Sequence, residues 1–163
     1  MFCYKNLLCI SAHKKTLDWF KSYLFNRKQI VSINGTMSLD QTITCGVPQG
    51  SILGPLLFLI FINDLPLALS RDTNTTDMYA DDTTIHSIHW CLQTVKTNLQ
   101  ICLDNLENWC KSNGMILNTE KTKVLLITTP HKRARLADAS LSLTFKEIPL
   151  KSSKGEKLLG CTN

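Results

Sequence analysis

Two adjacent carboxylates, Asp81-Asp82, sit inside Met78-Tyr79-Ala80-Asp81-Asp82-Thr83-Thr84-Ile85, with apolar and β-branched residues on both sides. Neighbouring side chains of one sign repel, and burying them unpaired costs still more. The pair therefore belongs where the chain reverses, at the exposed end of two strands. Residues 77–88 read as strand, tight turn, strand, with Asp81-Asp82 at the turn. On these residues alone the pair reads either as a solvated turn, because turns favour Asp, or as a holder of a hard divalent cation. Mg2+ is commonly bound by one or two carboxylates together with substrate phosphates.

The elements around this hairpin mix helices and strands. Leu17, Phe20 and Leu24 recur at helical spacing between Lys14 and Asn26. The period then changes, with Val31 and Ile33 alternating with polar neighbours before Asn34-Gly35, the strongest two-residue hairpin signal, and Leu39–Cys45 as the return strand. Gly46-Val47-Pro48-Gln49-Gly50-Ser51 forms a loop that opens a helix, the two together covering 46–68, with Ser51 as N-cap and Pro55 in the first turn. That helix is apolar nearly all round, so burial is expected. Leu92, Val95, Leu99, Leu103, Leu106 and Trp109 define a helix over 91–113 that Gly114 ends. Over 115–128, Met115–Leu117 and Val124–Ile127 read as strands flanking Asn118-Thr119-Glu120-Lys121-Thr122, and His131–Arg135 as a loop. Short strands are expected near Leu141–Phe145 and Lys157–Leu159. Hairpins among helices, without regular strand–helix alternation, point to an α+β fold.

Composition narrows the class. The chain has 163 residues, 44% apolar and 19% charged, which suits one globular domain. Its net charge of +5 permits a nucleic-acid partner. Most of the excess lies in the tail 131–163, with seven basic residues against three acidic ones. Seven scattered cysteines without a C-x-x-C pair suggest neither a disulfide framework nor a zinc knuckle, and point to a reducing intracellular compartment, cytoplasm or nucleus. The apolar run Ile52–Ile62 is too short for a bilayer span, which needs about 20 residues. The first residues carry no secretory leader pattern, so no membrane association is expected.

Gly46, Gly50 and Gly54 let backbone approach something flat or charged, and a helix start beside Ser51 offers N–H groups to a phosphate. Taken with that loop, the hairpin becomes specific. The segment GVPQGSILGPLLFLIFINDLP followed by YADDTTI resembles the reverse transcriptases of non-LTR (LINE-type) retrotransposons. WFKSYLFNRKQIVSINGTMS resembles the segment ahead of the PQG loop, ENWCKSNGMILNTEKTKVLLIT the stretch after the catalytic hairpin, and KLLG the start of the next element. These pieces run in family order from Leu17 to Gly160. The resemblance implies a partial palm with an adjoining fingers segment of a right-hand polymerase, an antiparallel sheet packed on helices. It also implies RNA-templated DNA synthesis, with Mg2+ as cofactor and RNA template, DNA primer and dNTPs as partners.

Residue by residue, the resemblance makes Asp81 the metal-binding carboxylate and Asp82 its support, with Tyr79 and Ala80 against the primer end. Gly46, Pro48, Gln49 and Gly50 match the loop near the incoming nucleotide and template base. Lys121 matches a basic position near the triphosphate, and Arg27 a contact to nucleic-acid backbone; both read equally as solvated side chains. The family's upstream strand with a further metal-binding Asp has no counterpart here, since only Asp18 and Asp40 precede Gly46, in other contexts. The thumb has none either. The expectation is one partial domain over 1–163, inactive alone, with a nucleic-acid-binding remnant as the alternative and self-association through an exposed sheet edge. Joint zinc ligation by His86, His89 and Cys91 would need a kinked strand and lacks a fourth ligand. Trp19 and Trp109 lie on or beside apolar helix stripes, so core packing is expected of both.

Overall fold

The computed structural model describes residues 13–43, 46, 50–69, 74–135, 141–153, 157–158 and 161–162. The chain divides into two compact units, Met1–Asp64 and Leu65–Asn163.

In the first unit, α1 (Lys14–Leu24) places Leu24 in the core, where it meets Leu57 of α2 (Gly54–Ile62). Leu17, Phe20 and Tyr23 close around that pair from α1. Tyr23 also ties α1 to the start of α2 through a 2.5 Å bond between its hydroxyl and Ser51 Oγ. Ser51 does not occupy the N-cap position; Leu53 does. The Ser51 hydroxyl instead accepts the Leu53 N–H at 3.1 Å and its carbonyl the Gly54 N–H, a preceding turn that delays the helix. Pro55 lies in the first turn, as its missing N–H requires. Apolar composition all round does not bury this helix all round: Leu56 and Leu59 are half exposed. Trp19 likewise departs from the core, with 51% of its surface exposed, and stacks on Tyr23 one turn away at 5.3 Å and 6°.

Between the helices runs a long hairpin of β1 (Lys28–Gln29), β2 (Ser32–Ile33), β3 (Thr36–Met37) and β4 (Gln41–Thr42). Asn34 and Gly35 form its turn with φ of 50° and 82°, the doubly left-handed geometry their sequence favours. Lys28 and Gln29 pair with Thr42 and Gln41, whereas Ser32 and Ile33 pair with Met37 and Thr36. The descending side has two residues between its ladders and the returning side three, so the returning strand carries a β-bulge before Gln41. Within that extra stretch, Asp40 forms an ion pair with Lys28.

The second unit is organised by α4 (Leu92–Asn113), ended by Gly114 at φ 65° as the sequence requires. Its buried face of Val95, Cys102, Leu103, Leu106, Trp109 and Cys110 packs on α3 (Leu65–Leu69) and on the hairpin of β5 (Asn74–Tyr79) and β6 (Asp82–Ser87). Leu69 and Cys102 are fully enclosed there. Burial pushes the Cys110 thiol pKa up. β7 (Lys123–Leu125) pairs in parallel with β10 (Lys151–Ser153). A short hairpin of β8 (Thr144–Phe145) and β9 (Ile148–Pro149) docks on α4, where the Gln100 amide both donates to the Thr144 carbonyl and accepts its N–H. β11 (Lys157–Leu158) pairs with β12 (Cys161–Thr162).

The α+β mixture is as expected, with four differences in detail, the first being that the one helix expected within 46–68 is broken at Asn63-Asp64 into α2 and α3. In place of one antiparallel sheet on helices, the described residues show two separate antiparallel hairpins on α4, β5–β6 and β8–β9; every ladder is two-stranded and β7–β10 is parallel. Met115–Leu117 forms no strand. His131–Arg135 is not a loop but most of α5 (Pro130–Arg135), opened by Pro130 with the Thr129 hydroxyl near the Lys132 N–H at 3.4 Å. No helix among the described residues is long and apolar enough to cross a membrane.

The helix-facing side of the β5–β6 hairpin carries a polar defect. Asn74 Oδ1, Thr76 Oγ1, Ser87 Oγ and Asn98 Nδ2 are buried without a hydrogen-bond partner among the described residues. Replacing an unsatisfied hydroxyl by a methyl of the same shape removes its desolvation cost. Thr76→Val is therefore expected to stabilise by about 1 kcal/mol, read as a melting midpoint raised by about 4 °C. A lower midpoint would mean that the hydroxyl is satisfied.

Candidate functional site

The β5–β6 register runs without interruption from Asn74↔Ser87 to Tyr79↔Asp82, leaving Ala80 and Asp81 as a two-residue turn. Asp81 is thus at the turn and Asp82 is the first residue of β6. Alternation along both strands puts Thr75, Asp77, Tyr79, Asp82 and His86 on the solvent face, and Thr76, Met78, Thr83 and Ile85 toward the helices. The carboxylates of Asp81 and Asp82 are exposed and make no hydrogen bond or ion pair among the described residues. Ala80 holds φ at 53°, a left-handed conformation normally given to glycine.

Two further side chains on this face escape a motif-based reading. His86 Nε2 lies 2.9 Å from Asp77 Oδ2, a diagonal cross-strand pair two residues from Tyr79 on one strand and four from Asp82 on the other. Strand alternation was the signal that could have placed both beside Tyr79 and Asp82. His86 thus meets Asp77 rather than His89 or Cys91. His89 is engaged elsewhere, its Nδ1 accepting the Cys91 N–H at 3.0 Å. No group of three His, Cys, Asp or Glu side chains suited to a metal gathers among the described residues.

Lys121 is exposed in a compact turn of the same unit. Asn118 Oδ1 accepts the N–H groups of Glu120 and Lys121 at 3.1 Å each, and its carbonyl accepts the Thr122 N–H and hydroxyl. Such an Asx-type turn fixes the backbone and leaves the lysine head free to reach outward. In the other unit, Arg27 is half-buried just after α1, and its carbonyl accepts the Ile43 N–H at 2.8 Å. Gly46 and Gly50 are exposed with φ of 82° and 75°, and nothing lies within 4 Å of a Cβ built on either. Their glycine requirement is one of backbone conformation rather than crowding. Pro48 and Gln49 lie outside the described residues.

Residues 4–162 match the family model described as Reverse transcriptase (RNA-dependent DNA polymerase). The chain belongs to the reverse transcriptase family. It is 36% identical over 108 residues to the probable RNA-directed DNA polymerase from transposon BS of Drosophila melanogaster, 63% of this chain and 12% of that protein. It is 33% identical over 106 residues to the RNA-directed DNA polymerase from mobile element jockey of the same organism, 62% of this chain and 12% of that protein. With the probable polymerase from transposon X-element it shares 24% over 142 residues, 86% of this chain and 15% of the relative. The chain thus spans only a small part of these curated relatives and carries a reverse transcriptase domain of the non-LTR retrotransposon type. No solved structure matches it. Membership implies a palm-and-fingers polymerase architecture, a divalent metal and nucleic-acid partners.

Proposed function

We infer that the chain carries part of the nucleotidyl-transfer site of an RNA-directed DNA polymerase, with Asp81 the carboxylate that binds a divalent cation and Asp82 supporting it. The observation behind this reading is a pair of adjacent, exposed carboxylates without partners among the described residues, at the tip of a regular hairpin in a chain of this family. Two carboxylates with open surroundings fit one hard ion, whose remaining positions go to water and substrate phosphates. When bound, such an ion neutralises the triphosphate and activates the primer 3′-hydroxyl.

The chain's own residues would frame that chemistry. Tyr79 shares the exposed face with Asp82 and offers a ring to the primer end. Ala80 keeps the tip narrow. By family resemblance, Gly46, Pro48, Gln49 and Gly50 are assigned to the nucleotide and template base, Lys121 to the triphosphate and Arg27 to nucleic-acid backbone. The partners are then RNA template, DNA primer and dNTPs, on a partial palm with an adjoining fingers segment.

Two measurements test this. Titration with Mn2+ is expected to broaden the amide signals of Ala80, Asp81 and Asp82 first, and Asp81→Ala to abolish that selectivity. Broadening centred elsewhere would move the metal role off the hairpin. In primer extension with Mg2+ and dNTPs the 163-residue chain is expected to be silent, because a bridging two-ion centre needs a further carboxylate. Extension that Asp81→Ala eliminates would show the chain sufficient for catalysis. A second reading, nucleic-acid binding without chemistry, draws on five basic residues and no carboxylate between Lys121 and Ala137.

A further inference from the structure

Trp90 stands in the connection between β6 and α4 with 80% of its surface exposed. Tryptophan is ordinarily well buried, so an indole held out in solvent needs a reason. The backbone beside it is not loose. The Cys91 N–H donates to His89 Nδ1 at 3.0 Å, and Lys132 Nζ of α5 donates to the Trp90 carbonyl at 2.9 Å. Both ties hold the one peptide group that joins Trp90 to Cys91, at its carbonyl and at its N–H, and leave the ring uncovered. The imidazole of His89 lies next to it, centroids 5.2 Å apart and tilted by 31°. The result is a two-ring surface with a cation at its edge.

The segments that carry this surface hold no acidic residue: none occurs between Thr83 and Leu103 or between Lys121 and Ala137, and Lys132 is the cation seen beside Trp90 among the described residues. Lys132 also helps hold the Cys91 thiol pKa below its ordinary value, after the hydrogen bonds from Thr94 and Gln93. Aromatic faces accept any unstacked base, while nearby cations follow the phosphates. Bases inside a duplex are stacked and do not present their faces.

We propose that Trp90, with His89 beside it and Lys132 at its edge, is a stacking site for single-stranded nucleic acid. It deepens the nucleic-acid reading, on which it rests, and does not depend on Asp81 or Asp82. Binding of fluorescent single-stranded RNA and DNA 20-mers to the full chain, in EDTA and over a salt series, tests it. Trp90→Ala is expected to weaken single-strand binding about tenfold with an unchanged salt slope, and Trp90→Phe to restore most of it. Lys132→Ala is expected to weaken all sequences alike and to lower the slope by about 0.7. Duplex affinity should be the same in Trp90→Ala as in the parent. If the parent binds single strands and Trp90→Ala binds within twofold, or Trp90→Phe loses as much as Trp90→Ala, the stacking site is refuted while nucleic-acid binding stands. If the parent binds no single strand, both fall.

Discussion

Leu69→Ala is expected to destabilise the second unit by about 2–5 kcal/mol, the range for emptying an enclosed leucine site. Leu69 is fully buried on α3, and its carbonyl meets Cys102 Sγ at 3.4 Å. Cys102, itself enclosed on α4, is contacted by Asn74 Nδ2 of β5 at 2.8 Å. Asn74 Nδ2 lies also 3.2 Å from the Asn98 carbonyl on the same helix. The enclosed Leu69 side chain sits at the junction of α3, α4 and the base of the acidic hairpin, and the substitution removes its packing while the carbonyl contact stays. Domains of this size typically hold 5–15 kcal/mol in total, so the loss is a large fraction. Urea unfolding followed through buried Trp109 should show a lower midpoint with an unchanged slope. A shift below about 0.5 kcal/mol, the level of ordinary surface substitutions, would mean that the junction is not cooperative with the core.

The second large effect concerns the bulged hairpin of the first unit. Ile30, Val31, Ile33, Met37 and Leu39 are all exposed along it, Leu39 by 84%. Among the described residues its ladders pair only with each other, so both outer edges are open. Open edges carrying apolar side chains template pairing with a second strand. The chain at high concentration is expected to elute as oligomers and aggregates, and Met37→Lys with Leu39→Lys to return it to monomer. Both positions are exposed, so the melting transition should hardly move. Light scattering that finds the parent already monomeric would remove self-association through this hairpin.

What the sequence disclosed follows the range over which each signal acts. Asn34-Gly35, the Gly114 helix stop and the Asp81 turn are decided by two or three neighbouring residues, and all three stand where local chemistry puts them. The α5 helix carried a local signal as well, since Thr129-Pro130 is an N-cap residue followed by a first-turn proline. The run of basic residues masked it. The parallel pairing of β7 with β10 joins Lys123 to Lys151 across a stretch with no periodicity of its own, and no local pattern specifies such a partner. Trp19 and α2 fail for another reason. Composition says which side chains are apolar but not how much surface a neighbour supplies to cover them, so Leu56, Leu59 and Trp19 remain partly in water. Of the candidate site, the Asp pair and its turn were legible from motif and hairpin chemistry. Asp77 and His86 needed the strand register before they joined the same face.

The left-handed alanine at the hairpin tip bears on what this position tolerates. At φ 53° a β-branched residue is strongly disfavoured, whereas glycine and asparagine fit with little strain. In a randomised library at position 80 screened only for a folded hairpin, with no polymerase selection, Gly, Asn and Ala should survive and Val, Ile and Thr disappear. The small residue ahead of the two aspartates would then be kept by backbone shape alone, so its recurrence among survivors would say nothing about chemistry.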